Sequence, residues 1–181
     1  MIFTILSIGL NCQNARFNGK YDPLNMNSLT TKLYYLLLLT DPGTAQGATF
    51  DLNSGLPVGW TGDWIISTSS DHCFSDSCLK SSNYAHSSIS YIETTQKVNR
   101  GSVTFYRYVN SELYNDVCQF FVDGHPPVLD VLGISGTGMS SPFMYKFDVY
   151  PGTHTFRWTY TKDNSLSVGS DSCWIDQVVF P

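Results

Sequence analysis

From Thr49 onward, apolar and polar positions alternate in short runs broken by turn residues, and no window keeps a helical period. The runs predict strands over residues 49–52, 64–68, 87–92, 102–109, 117–122, 128–132, 143–149, 154–160 and 174–180. Strands this short and this numerous bury their apolar faces by packing as two antiparallel sheets, an all-β sandwich. The punctuation agrees: Pro151-Gly152 joins two alternating runs as a tight hairpin, Asp123-Gly124 ends another, and the Gly/Ser-rich stretch 132–142 reads as one long loop.

Alternation also predicts which faces are buried. Phe156, Trp158 and Tyr160 share one face of their strand, and Val103, Phe105 and Val109 share one face of theirs, leaving Tyr106 and Tyr108 pointing outward. Cys118 lies on the same face as Phe120 and Val122, and Cys173 on that of Ile175. A Cys118–Cys173 bridge between neighbouring strands fits this placement and leaves Cys73 and Cys78 to close a small loop, although four cysteines allow three pairings. Cys73, Cys78 and His72 together fall short of a zinc site, because no second Cys/His pair stands at zinc spacing.

Two apolar runs precede the β-rich region, residues 2–10 (IFTILSIGL) and 33–39 (LYYLLLL), and both are shorter than a membrane-spanning helix requires. The second has the layout of a secretory signal, with Lys32 before it and Gly43-Thr44-Ala45 after it. Residues 1–45 are therefore expected to be a leader or upstream segment, with Met26 as a possible start and 46–181 as the domain. Cleavage after Ala45 would remove Cys12 and leave an even count of four cysteines, as suits an oxidising compartment. The chain carries 10 basic and 15 acidic residues, net −5, without basic clusters, which argues against nucleic acid as a partner.

The strings FDLNSGLPVGWTGDW, GSVTFYRYVNSELYNDVCQFFVDG and PGTHTFRWTYTKDNSLSVGSDSCWIDQVVFP resemble extracellular jelly-roll modules of surface and secreted proteins: the concanavalin A-like, MAM-like and cleaved-adhesin-like domains. The resemblance covers about residues 49–181. It implies a two-sheet antiparallel jelly-roll β-sandwich and a secreted or cell-surface setting, and it implies no particular ligand. Phe143 departs from the family pattern, which has tryptophan before the strand at Lys146.

Chemistry is sparse. Only two glutamates are present, Glu93 and Glu112, and no string places two acids on one strand face as glycoside hydrolysis requires. Nucleophile-elbow, zinc-protease, phosphate-loop and dinucleotide strings are absent. The expectation is a non-enzymatic binding module, carbohydrate-binding or adhesive, with a structural protein acting through protein contacts as the alternative and a hydrolase a distant third. Sugar rings stack on exposed aromatics, and Tyr106, Tyr108, Trp60 and Trp64 are the candidates. No cofactor is required by this reading. A structural calcium ion would draw on Asp51 and Asp176, from first and last strands that the resemblance makes neighbours, with Asp63 from the opening loop.

Overall fold

The computed structural model describes residues 46–48, 55–68 and 72–181, all within the unit Gly43–Pro181. The expected leader, the strand over 49–52 and Asp51 lie outside the described residues. Ten strands follow in order: β1 (Gln46–Ala48), β2 (Trp60–Gly62), β3 (Ile65–Ser67), β4 (Cys78–Lys80), β5 (Ile89–Val98), β6 (Gly101–Asn110), β7 (Val117–Val122), β8 (Phe143–Val149), β9 (Gly152–Thr161) and β10 (Ser172–Phe180). One sheet has the order β3-β4-β10-β6-β8, with β1 also paired to β10, and the other has the order β2-β5-β9-β7. All these pairings are antiparallel. The described residues form an all-β jelly-roll sandwich of two antiparallel sheets.

Alternation builds the core. Phe156, Trp158 and Tyr160 of β9 and Val103, Phe105 and Val109 of β6 are fully buried, facing one another across the sandwich with Phe120, Phe147 and Ile92. Trp158 packs against Phe105 edge-on at 5.2 Å and stacks on Trp60 at 5.6 Å. Burial of each such side chain contributes about 1.5–3 kcal/mol, so the aromatic stripe along β9 is the main fastening between the layers. Cys118 of β7 is bonded to Cys173 of β10. Those strands belong to opposite sheets, so the bridge joins the two layers rather than neighbouring strands of one.

Two departures from the strand pattern have physical causes. Residues 128–132 form no strand; Val128–Asp130 is a 3-10 turn. Pro126 and Pro127 supply no backbone donors for a ladder, and Gln119 Nε2 donates to the carbonyls of Asp130 and Val131 at 3.0 and 2.8 Å. The outer face of β6 and β10 is also covered. The loop closed by Cys73–Cys78 lies on it: Phe74 stacks on Tyr106 at 3.6 Å, the His72 ring meets Tyr108 and Trp174, and Asp176 Oδ2 accepts from the Ser75 amide and hydroxyl at 2.7 and 2.8 Å. Cys73, Cys78, Tyr108 and Trp174 consequently form a second, smaller buried cluster.

Candidate functional site

Burial removes most of the aromatics that alternation offers for stacking on a sugar. Trp60 and Trp64 are core residues, 7% and 3% exposed, and Tyr108 is 6% exposed beneath the Cys73–Cys78 loop. Tyr106 is half-buried with one ring face occupied by Phe74. A ring without a free face cannot stack on a pyranose, which corrects the expectation for Trp60, Trp64 and Tyr108 and weakens it for Tyr106.

A different aromatic occupies that role. Tyr150, between β8 and β9, is 76% exposed and stands where three turns meet at one end of the sandwich. On one side Arg100, Gly101, Ser102, Asp148 and Val149 line a hollow of about 380 Å³. On the other, His125, Pro126, Pro127, Asp123 and His154 line an adjoining hollow of about 240 Å³. Both include Tyr150 and Asp148 in their walls. The larger volume reaches the lower end of the roughly 300–1,000 Å³ occupied by small-ligand sites.

Local sequence chemistry holds these turns. Asp123 and Gly124 both adopt positive φ, 52° and 79°, and Val122 and His125 exchange backbone hydrogen bonds at 2.9 and 3.0 Å. That is the two-residue hairpin for which Asp-Gly is suited, because glycine has no Cβ and aspartate tolerates the left-handed region. Asp123 then accepts from the Thr155 amide at 2.8 Å and faces His154 Nδ1 at 2.6 Å, while His154 Nε2 lies 3.0 Å from the Tyr150 carbonyl. The His154 hydrogen bond, helped by the Thr155 amide, holds the Asp123 carboxyl below the usual carboxylate range. His154 therefore ties the Asp123 turn to the Tyr150 hairpin. Across the hollow, Ser102 Oγ donates to Asp148 Oδ1 at 2.6 Å, which fixes one carboxylate oxygen. Tyr150 and its neighbours escape the strand pattern because they lie in turns; the one available signal was an aromatic directly before Pro-Gly.

The acidic residues serve the fold. Lys162, fully buried at the end of β9, bonds Asp116 at 3.2 Å, Ser167 at 3.3 Å and Asp171, whose other oxygen accepts from Tyr160 Oη at 2.8 Å. Burial pushes the Asp116 carboxyl up. Burial also opposes the charge on Asp171, but donors from Lys162, Ser167 and Tyr160 outweigh it and hold that carboxyl down. Burial works against Lys162 as well, and its two carboxylate partners reverse the sign and raise it. Tyr160 is raised by burial and by Asp171.

Glu112, Asp116 and Asp163 bring carboxylate oxygens within 4.8 Å of one another. Asp116 is already served by the Lys162 ammonium and the Asp163 amide, and a fixed positive charge beside a cluster disfavours a second cation. Asp163 accepts from the Ser165 amide two residues on, the Asx-turn arrangement. Of the calcium candidates, Asp63 Oδ1 accepts from the Tyr91 amide at 2.8 Å, and Asp176 is buried and taken up by Ser75 and the Gln177 amide. β1, residues 46–48, pairs with β10; the predicted strand over 49–52 that carries Asp51 lies outside the described residues. Glu93 is paired with Arg157 on the outer side of the β5–β9 ladder.

No protein-family model matches the chain, and no characterised protein sequence matches it. Among solved structures, the K2 cleaved adhesin domain of Lys-gingipain superimposes with a TM-score of 0.51 at 12% identity, covering 76% of this chain and 99% of that one. A family 35 carbohydrate binding module from Clostridium thermocellum gives 0.45 at 16% identity, covering 74% of this chain and 96% of that one. The secreted serine protease VesC from Vibrio cholerae gives 0.47 at 13% identity over 65% of this chain, which spans only 24% of the protease. What is shared with the cleaved adhesin domain at 12% identity is the β-sandwich fold alone.

Proposed function

We propose that this chain is a non-catalytic, extracellular binding module that takes a glycan in the hollow at the end of the sandwich, with the Tyr150 ring as the stacking platform. One observation carries the reading: an aromatic ring 76% exposed stands between two hollows lined by Arg100, Ser102, Asp148, Asp123 and His125. Sugar recognition needs that combination of an apolar ring face and convergent polar groups for the hydroxyls. The two disulfides support a secreted or surface setting, since such bonds persist in oxidising compartments. Asp63 and Asp176 already accept protein donors, so calcium is varied in the test as a control and is not required by the reading.

The test is a glycan-array screen of the disulfide-intact protein with calcium and with chelator, followed by titration of any hit. A saturable hit weakened at least about tenfold by Tyr150→Ala, a loss of about 1.4 kcal/mol, is expected. A blank array on folded protein, or a hit indifferent to Tyr150→Ala, would sink the reading. The alternative of a protein-contact module is favoured by a specific feature: Val128, Leu129 and Leu132 are 89%, 88% and 87% exposed on a turn held rigidly from beneath.

A further inference from the structure

β8 is the edge of its sheet, paired on one side to β6. Among the described residues no backbone group of Phe143–Val149 bonds to anything beyond that ladder, so its outer row of N–H and C=O groups is open. Natural edge strands are commonly guarded by a charge that pairing would bury without a partner. β8 carries two charges of opposite sign instead, Lys146 and Asp148, both exposed and on one face with Met144 and Tyr150.

This row of side chains reads as its own complement. An antiparallel pairing of β8 with a second copy, centred on Phe147, sets Lys146 opposite Asp148 of the partner subunit and repeats that pair across the two-fold axis. The same register sets Tyr145 opposite the partner's Val149 and Met144 opposite the partner's Tyr150. Opposite charges and apolar–aromatic pairs placed directly across an antiparallel ladder each stabilise it. Centring one residue earlier would set lysine against lysine, so the charges select the register.

We propose that β8 is a self-pairing edge, and that its partner is a second copy of this chain, joined with two-fold symmetry so that the two six-stranded sheets become continuous. Exposed apolar surface at the start of the strand fits this occupant: Phe143 and Met144 are 64% and 50% exposed. The apolar turn 128–132 is fixed nearby, since Asp130 bonds Arg107, whose register partner on β8 is Phe143. The pairing brings the partner's Met144 to the rim of the Tyr150 hollow and lengthens its apolar wall. Because strand pairing uses up the open edge on both copies, the assembly closes at two.

Sedimentation velocity over about 1–200 μM, the range of a small strand-edge interface, tests the pairing. A concentration-dependent dimer is expected. Lys146→Asp and Asp148→Lys each place like charges opposite one another twice and should weaken it at least about tenfold, while the double variant K146D/D148K should restore it. A chain that stays monomeric throughout, an open-ended polymer, single reversals that leave the dimer unchanged, or a double variant that does not restore it would each overturn the proposal. Sedimentation is read without glycan, and of the two reversed residues Asp148 lines both hollows while Lys146 lines neither, so the Lys146→Asp arm separates the pairing from glycan binding.

Discussion

Arg107 sits on the core face of β6 between Phe105 and Val109, where alternation calls for an apolar side chain, and it is fully buried. An isolated guanidinium there would be untenable. Asp130 receives it through two hydrogen bonds of 3.0 and 2.6 Å and also accepts from the Phe120 amide at 2.6 Å, while the Tyr145 ring lies 4.1 Å from the guanidinium carbon. Removing the anion leaves the cation buried, so Asp130→Ala should cost about 3–5 kcal/mol, whereas Arg107→Met together with Asp130→Ala should cost less than Asp130→Ala alone. Urea unfolding of the three variants checks this; a mild Asp130→Ala would mean that water reaches the guanidinium. Alternation over β6 identified Val103, Phe105 and Val109 as core without marking Arg107 among them, and its partner was not legible at all, because the two residues meet only through a loop after β7. Tyr106 and Tyr108 mislead for a related reason. Alternation reports which side of a strand a residue faces, and it is silent about a disulfide loop lying over that side.

At the scale of the element, the strands were more legible than the turns. β7 and β8 match their predicted bounds, β6, β9 and β10 extend theirs, and β5 begins two residues later than predicted and runs on to Val98, because period-two patterning survives wherever one face is buried. β2 and β4 have three residues each, too few to alternate. The Asp123 hairpin shows what a turn contributes once its partners are known. Asp123 has its carboxyl depressed by His154 and Thr155, so its contribution is present above about pH 4 and is lost as pH falls through its folded value. Its side chain is 50% exposed, and solvent screening limits the effect to below about 1 kcal/mol. Thermal melts between about pH 6 and pH 3 should therefore show a smaller acid-induced drop for Asp123→Asn than for the parent. Equal slopes would mean that the His154 contact contributes nothing in solution. The two disulfides differ in the same measurable way. Cys118–Cys173 spans 55 residues and Cys73–Cys78 spans 5, so loop-closure entropy predicts costs of about 4 and about 2 kcal/mol when each is replaced by a pair of alanines. The short bridge also holds the cover over Tyr108 and Trp174, and its loss should change tryptophan emission as that cluster opens to water.

Across the whole molecule, the distribution of charge decides which glycans can be ligands. From Gln46 onward the chain has 7 basic and 13 acidic residues, net −6. Two of the seven cations, Arg107 and Lys162, are buried in ion pairs, and a third, Arg157, is paired with Glu93. Arg100 is the one basic side chain other than histidine that lines the hollow around Tyr150, against Asp123 and Asp148. A polysulfated chain would meet a field of its own sign over most of this surface, with too few free cations in one place to release its counterions. The protein should pass through a heparin column at about 0.15 M salt, where screening limits the reach of exposed charges to about 8 Å. Retention that persists there and is eluted by salt would show a basic surface that the described residues do not form. A neutral glycan bound at Tyr150 should instead keep its affinity as salt is raised, because ring stacking and hydrogen bonding to hydroxyls involve no net charge. The salt dependence of binding thus separates the proposed stacking site from an electrostatic one.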